Sequence, residues 1–495
     1  MPAKLRQAHA VDRAALARHD HLLLVVSGRE DETGLVHAVP EFARLKRVLD
    51  RRGTKPGDLA KRPLAFHTDN GALWVCVLVD PHTARFEQQT LLRRALALLL
   101  EEDPRTIGIA VFGDAEQRHA LAREALYVAW INGARLPARK NKPDGKPLDA
   151  IHLHGAPGEA SYGDVVAVAR GNTLARDLTA LPPNELTPGA YRHRLRALAR
   201  RHGWQCREYG FKRLHRMGAG AFTAVARGSH EEDAAIVRLS YVPRRPRAGV
   251  ALVGKGICFD TGGHNLKSAK YMAGMHEDMN GSAVALGIVQ TLAEQRWPIR
   301  VDAWLAIAEN HLSPQAYKQG EIVTALDGTT IEIVHTDAEG RLVLADALTL
   351  AAKGEGGHAP ALIIDFATLT GSMIHALGNR YGGVFASDGP LAAMAVAAGH
   401  ASGERVCVFP MDSDYEAALE SKVADVKQCT LEGEADHILA ACFLRRFTGK
   451  RPWLHLDLSA ASCSGGLGAV ATDITGFGVA WGVELLHRWS ESRPL

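Results

Sequence analysis

Cysteine is scarce. The 495-residue chain has seven (Cys76, Cys206, Cys258, Cys407, Cys429, Cys442 and Cys463), scattered, odd in number and without a C-x-x-C pair. That excludes a disulfide framework and a cysteine zinc site, and reads as reduced thiols in a reducing compartment, mostly acting as small buried hydrophobes. Long apolar runs are missing as well: no stretch reaches ~18 uninterrupted apolar residues, so no membrane span is expected. The first residues, MPAKLRQAHAVDRAALARHD, lack the apolar core of a secretory signal, so a cytoplasmic location is expected. Charge of one sign is also lacking. Lys and Arg number 58 against 55 Asp and Glu, a net charge of +3, which excludes a strongly basic nucleic-acid binder and a polyacidic tail protein. Internal repeats and low-complexity segments are absent.

What is present is ordinary in composition and uneven in one residue. Hydrophobic residues make up 46% and charged residues 23%, as in globular proteins, and a chain this long is expected to form two or more domains. Glycine occurs 48 times, with 11 in residues 1–160 and 37 in the remainder, so the surplus belongs to the later part.

The first third alternates short β-branched runs (His21–Gly28, Ala72–Val79, Thr106–Gly113, Ala150–His154) with helical patterns (Ala84–Glu101, Ala115–Asn132). Such alternation predicts a mostly parallel sheet covered by helices. A boundary is expected near residue 160, with a connecting helix at Asp164–Leu181, dividing an N-terminal α/β domain (1–160) from a larger domain (161–495). The second part reads as α/β too. Strands are expected at Ala234–Tyr241, Gly249–Val253, Arg300–Ala308, Ile331–Val334, Ala361–Phe366 and Trp453–Leu458, and helices at Ser282–Glu294, Leu342–Lys353 and Ile438–Phe447. Asp327-Gly328 is a hairpin signal.

Two strand-to-loop junctions hold most of the chemistry-bearing residues, at the carboxyl ends of strands where α/β proteins place ligands. The first, VGKGICFDTGGHNLK running on to HEDMNGSA, carries Lys255, Asp260, Lys267 and Asp278 beyond a buried strand. Its four glycines (Gly254, Gly256, Gly262, Gly263) are read as loop backbone in shapes other residues resist. The second, VHTDAEGRLVLADAL, carries Asp337, Glu339 and Arg341. Asp260, Asp278, Asp337 and Glu339 would repel one another if crowded, and two divalent cations would cancel their charge. Lys255 could be a ligand only as a neutral amine. Lys267 and Arg341 then remain as cations suited to polarising a carbonyl and holding an anion, and a two-metal centre can activate water while gripping a carbonyl. Arg341 also lies where a helix begins, so the helix N–H groups could help bind a small anion.

At these residues the chain resembles the leucyl (cytosol) aminopeptidase family of dinuclear metallo-exopeptidases. Thr336–Leu348 (TDAEGRLVLADAL) is that family's signature, and G-K-G-x-x-F-D-x-G-G-x-x-x-K from Gly254 to Lys267 is its second hallmark. Ala175–Leu186, Ala306–Asn310, Ala367–Gly371 and Lys422–Val426 look like further family blocks. The resemblance covers roughly residues 165–460. It implies a smaller N-terminal α/β domain, variable and open to an oligomer-forming or regulatory role, and a larger catalytic α/β domain with a mixed central sheet flanked by helices. It implies one metal on Asp260, Asp337 and Glu339 and another on Lys255, Asp260, Asp278 and Glu339. A metal-activated hydroxide would attack the peptide carbonyl, with Lys267 stabilising the tetrahedral intermediate and Arg341 holding a bicarbonate as general base. Met275, Thr368, Leu369 and Gly371 align with the pocket for the substrate's first residue. Peptides with a free N-terminus are the implied substrates and a homohexamer the implied assembly. Oxygen-rich ligands with one amine suit zinc, manganese, magnesium or cobalt.

The chain also departs from the family. His335 stands where Asn is usual and is read as a loop-packing histidine, with a ligand role as the alternative; His264, Asn265, His276 and Glu277 are similarly unusual. After Lys427, where the family shows a small Gly-rich stretch, this chain has Glu432, Glu434 and Asp436. Those acids are read either as a bias towards basic N-terminal residues or as a helix start favoured by its dipole. Two rivals remain. One is a nucleic-acid-binding protein, resting on the basic runs Arg192–Arg207 and Arg244–Arg247, the first of which reads more simply as an amphipathic helix. The other is a different two-metal hydrolase such as a phosphoesterase, against which a lysine ligand argues.

Overall fold

The computed structural model describes residues 2–492 apart from 30, 32, 143–144, 159, 245, 247–248 and 355–357. Arg245 and Arg247 of the second basic run therefore lie outside the described residues. The chain forms two compact units: residues 1–173 with 400–403 and 464–475, and residues 174–399 with 404–463 and 476–495.

The first unit is built on six strands: β1 (Lys4–Ala8), β2 (His21–Ser27), β3 (Leu64–His67), β4 (Leu73–Val79), β5 (Thr106–Phe112) and β6 (Ala150–His154), in the order β1-β6-β5-β2-β4-β3. All neighbours are parallel except the β3–β4 edge pair. The glycines 465, 466 and 468 belong to this unit and close a tight loop around Arg93, whose Nη1 donates to Gly465 O (3.0 Å) and Val470 O (2.6 Å). Gly466 has φ +80°, and a Cβ there would lie 2.2 Å from Val470 O, so only glycine fits.

The second unit is α/β with a mixed eight-stranded sheet. Its strands are β7 (Gln205–Gly210), β8 (Ala235–Tyr241), β9 (Gly249–Asp260), β10 (Arg300–Asn310), β13 (Leu362–Ala367), β14 (Gly382–Ala386), β15 (Val406–Val408) and β17 (Trp453–Asp457), in the order β15-β14-β17-β13-β9-β10-β8-β7. The central four, β17, β13, β9 and β10, run parallel. A small sheet of β11 (Ile322–Thr324), β12 (Thr330–Glu332) and β16 (Val426–Lys427) stands apart. Its β11–β12 hairpin turns at Asp327-Gly328 as expected, with Gly328 at φ +99° and Asp327 Oδ1 accepting from Thr329 N (3.0 Å).

Two helices press on the central strands, and both do so through unusual sequences. Helix Glu339–Lys353 has no polar face, so nearly all of it is buried. Its interior acid, Asp346, is accommodated because it accepts from Phe222 N (2.8 Å) and Leu326 N (2.7 Å). Helix Asn280–Glu294 starts with small residues because there is no room for others. A Cβ on Gly281 would lie 2.1 Å from Phe366 O, and one on Gly254 would lie 2.5 Å from Ser282 Cα.

Three expectations need correction. Gly254 and Gly256 are not loop residues: the strand expected to stop at Val253 runs on to Asp260, so Lys255 projects from within β9. Those two glycines serve close packing, and only Gly262 (φ +86°) and Gly263 (φ +66°) need the left-handed backbone. The helix expected from Leu342 begins at Glu339. The basic run Arg192–Arg207 is not one helix: it ends at His202, Gly203 caps it at φ 69°, and Cys206 and Arg207 lie on β7. Arg192 and Arg196 of that helix both pair with Glu208, at 2.6 and 2.7 Å, so they are engaged within the fold.

Candidate metal centre

The four parallel strands each deliver a polar group at their carboxyl ends: Asp260 from β9, Asn310 from β10, Thr368 after β13 and Asp457 from β17. Asp278 arrives from a one-turn 3-10 segment, Met275–Met279, wedged before helix Asn280–Glu294. Glu339 opens the buried helix Glu339–Lys353, with Asp337 two residues earlier. Carboxylate oxygens of Asp260, Asp337 and Glu339 lie within 4.8 Å of one another. Asp278 joins them through Lys255, whose Nζ is 2.8 Å from Asp278 and 2.8 Å from Glu339 and donates to Thr368 O (2.9 Å). Lys267 pairs with Asp260 (2.8 Å) and with Asp337. The expected ligands and Lys267 are thus gathered in one place, and Arg341 lies beside them, engaged by Gln428 O (2.9 Å) and Asp436 (2.8 Å).

Burial sets the electrostatics. It pushes Asp278 up to about 8 and Asp337 up to about 7, with repulsion from Glu339 and Asp260 adding in each case. Burial opposes the charge on Lys255 and Lys267, but the surrounding carboxylates outweigh it and hold both above the ordinary lysine range. Two ammonium groups thus stand among four acids, which leaves the acids in excess. Glu339 Oε2 is buried without a hydrogen-bond donor, an acceptor that a cation would satisfy. The donor set therefore fits divalent metal.

Supporting contacts fix this geometry, and several were not expected. Asn310 Nδ2 donates to Asp260 Oδ1 (2.8 Å) and to Thr336 O (3.0 Å), and Tyr317 OH donates to Thr336 O (2.6 Å). Thr336 Oγ1 donates to Gly262 O (2.6 Å) while Asn265 Oδ1 accepts from Thr336 N (2.8 Å), locking the two junction loops together. Gln428 holds the second loop: its Oε1 accepts from Val334 N (2.7 Å) and His335 N (3.3 Å), and its Nε2 donates to Ala338 O (3.2 Å). The pairing of β12 with β16 brings Gln428 there, a long-range register that no local motif announces.

The departures have defined places. His335 Nδ1 accepts from Asp337 N (3.2 Å), and burial lowers its pKa, so the ring packs the loop as a neutral group. His264 is exposed and its Nδ1 bonds Tyr317 O (3.1 Å). Of the residues expected to line a first-residue pocket, Thr368 Oγ1 donates to Asp278 Oδ1 (2.7 Å), so it touches the acids directly. Leu369 reaches Gly340, where a Cβ would meet its Cδ1 at 2.9 Å. Met275 opens the turn carrying Asp278, and Gly371 starts the helix Gly371–Leu377. Glu432 and Glu434 are exposed, whereas Asp436 pairs with Arg341 (2.8 Å).

Crowded buried acids with lysine partners, at the carboxyl ends of parallel strands, suit a metal-dependent hydrolase, and comparison with known proteins gives the class as aminopeptidase. Residues 173–482 match the cytosol aminopeptidase family, catalytic domain. The chain belongs to that family. Its relatives include a probable cytosol aminopeptidase of Acidovorax ebreus, 38% identical over 427 residues, 84% of this chain and 83% of that protein. Another, from Roseiflexus castenholzii, is 40% identical over 349 residues, 70% of each. Among solved structures, the bottromycin maturation enzyme BotP in complex with Mn has a TM-score of 0.80 at 32% identity, covering 94% of this chain and 99% of that one. The cytosol aminopeptidase from Coxiella burnetii has a TM-score of 0.79 at 25% identity, covering 98% and 99%. Among the described residues no helix is long and apolar enough to cross a membrane.

Proposed function

We propose that the chain removes the N-terminal residue from peptides at a two-metal centre. One metal would be held by Asp260, Asp337 and Glu339 and the other by Lys255, Asp260, Asp278 and Glu339. The observation that carries this reading is the group of three acids whose oxygens approach within 4.8 Å, together with the donorless Glu339 Oε2. Bound metals would supply Lewis-acid activation of water and of the peptide carbonyl. Manganese is favoured because BotP, at 32% identity, was solved with Mn; zinc, magnesium and cobalt suit the same oxygen-rich donors.

The chain's own residues do the rest. Lys267, its side chain 13% exposed and held charged by Asp260, Glu339 and Asp337 against the burial that opposes it, is the cation for the oxygen that becomes negative as the carbonyl is attacked. Lys255 gives up a proton to act as a donor, so a cation must replace the ammonium among the acids. Met275, Thr368, Leu369 and Gly371 border the pocket for the first side chain. A substrate amine seated at the metals would restrict cleavage to peptides with a free N-terminus, since an internal peptide bond offers none. A homohexamer and a cytoplasmic location accord with family membership; native mass spectrometry tests the first. The bicarbonate that the resemblance attaches to Arg341 does not fit: the guanidinium is already engaged by Asp436 (2.8 Å) and by Gln428 O (2.9 Å). Turnover of a panel of amino-acid amides by metal-stripped and metal-reconstituted protein tests the function. Metal-dependent amide hydrolysis is expected, and hydrolysis of phosphate esters but not amides would overturn it.

A further inference from the structure

Arg341 is buried, with 1% of its surface exposed. A guanidinium so placed cannot shed its charge and must be paired. Its Nη1 donates to Gln428 O (2.9 Å), its Nη2 donates to Asp436 Oδ1 (2.8 Å), and its Nε is buried with no acceptor among the described residues. Asp436 therefore supplies the one carboxylate paired with this cation among the described residues.

The chain goes to some trouble to deliver that carboxylate. Asp436 opens helix Asp436–Arg445, and Ala435 before it is held at φ 52°, ψ 26°. That left-handed backbone is unfavourable for a non-glycine residue and persists only where its surroundings enforce it. Ala435 O takes the first intrahelical bonds, from Ile438 N and Leu439 N (2.8 and 3.0 Å), and His437 N donates to Ser372 Oγ (3.0 Å), which ties the helix start to helix Gly371–Leu377. Glu432 and Glu434, in the same turn, stay exposed.

The pair also borders the centre. Arg341 lies two residues after Glu339, and Gln428, whose O accepts from Arg341 Nη1 (2.9 Å), holds the loop of Asp337 through Val334 N (2.7 Å) and Ala338 O (3.2 Å). A carboxylate and a bicarbonate present the same planar pair of oxygens to a guanidinium. We propose that Asp436 is the resident anion of Arg341, occupying the seat a small carboxylate-like anion from solution would take, so that this enzyme works without one. The proposal rests on the aminopeptidase reading of the neighbouring acids. In it Asp436 is a positioning residue that acts through Arg341. Removing its side chain leaves Nη2 open beside the unpartnered Nε, a fork able to hold bicarbonate through two hydrogen bonds.

The test uses manganese-reconstituted full-length enzyme in carbonate-free buffer, with and without added bicarbonate. Wild-type turnover of an amino-acid amide is expected to be indifferent to bicarbonate. D436A is expected to lose about tenfold to a hundredfold in kcat with KM little changed, and to recover saturably as bicarbonate is added. The thermal midpoint of D436A, read without substrate, should rise with bicarbonate while that of the wild type does not. D436N fills the seat without the charge, so it should be impaired and not rescued. Bicarbonate stimulation of the wild type overturns the proposal, as does a folded D436A whose rate and midpoint both ignore bicarbonate, or a D436N with full kcat. If D436A does not fold, the wild-type response and D436N decide. If the wild type hydrolyses no amide at all, the catalytic reading fails, and the thermal midpoints still report on the seat.

Discussion

The ammonium nitrogen of Lys255 stands 2.8 Å from carboxylate oxygens of both Asp278 and Glu339, and its side chain is 4% exposed. A buried lysine in this setting is a counterion, holding acids together that would otherwise repel. It is also the group whose replacement by a cation would turn a salt-bridged core into a metal centre.

Glu339→Ala should abolish most amide turnover, by roughly a thousandfold, the upper range for removing one preorganised electrostatic group. It takes away an acid shared by both proposed metals. Lys255 keeps Asp278, so the stability cost should fall below the ~3–5 kcal/mol of orphaning a buried charge. Far-UV circular dichroism should stay native while metal content falls below two per chain. Retained turnover would refute the assignment.

The centre should make the metal-free protein less stable as pH rises. Asp278 at about 8 and Asp337 at about 7 lie well above the value of 3.8 for an unburied aspartate. The folded chain therefore holds protons that the unfolded chain has lost. Their stabilisation is complete below the unfolded value and disappears as pH passes through 7 to 8. Metal uptake must displace the same protons, so affinity should climb over this window. Thermal midpoints of metal-free wild type and Asp278→Asn across the range isolate the effect: the variant should show a shallower fall, and an equal or steeper fall would contradict it.

Gly340→Ala should damage activity more than stability. A Cβ there would lie 2.8 Å from Lys255 Cε and 2.9 Å from its Nζ, and Lys255 is held by two ion pairs and cannot swing clear without loosening one. Overpacking costs ~1–3 kcal/mol, of which ~1 kcal/mol is recovered because alanine suits a helix better than glycine. Misplacing Lys255 by a fraction of an ångström should lower kcat by ~10–100-fold. Steady-state kinetics beside a thermal melt would separate the two effects.

Lys267→Met should lower kcat by about 10²–10³-fold, as for the loss of one transition-state donor, with a smaller change in KM. A rise in KM at unchanged kcat would instead mark Lys267 as a binding residue.

Local pattern carried much of this structure. Strand Ala150–His154 and helix Ala115–Asn132 were legible from periodicity alone and have those bounds. Other elements were hidden because tertiary contacts define them. β9 continues through Gly254 and Gly256, residues that usually break strands, because β10 pairs with it there, Leu305 opposite Gly254 and Ile307 opposite Gly256; the close approach of Ser282 Cα and Ala306 O leaves room only for glycine. β3 and β14 are four and five residues long and carry little pattern of their own. At the site, the acids and lysines announced themselves by charge and glycine context. Asn310 and Tyr317 did not, because a neutral side chain that orients a carboxylate looks like any core polar residue until the parallel register places Asn310 opposite Asp260. The Arg341–Asp436 pair spans 95 residues, beyond the reach of any motif.

Two metals are proposed to act together on these residues. The most direct test is the rate of amino-acid amide hydrolysis as manganese is titrated into metal-stripped enzyme at a protein concentration far above the dissociation constants. The rate should be negligible without metal and stop rising at two equivalents per chain. A plateau at one equivalent, or turnover without metal, would contradict it.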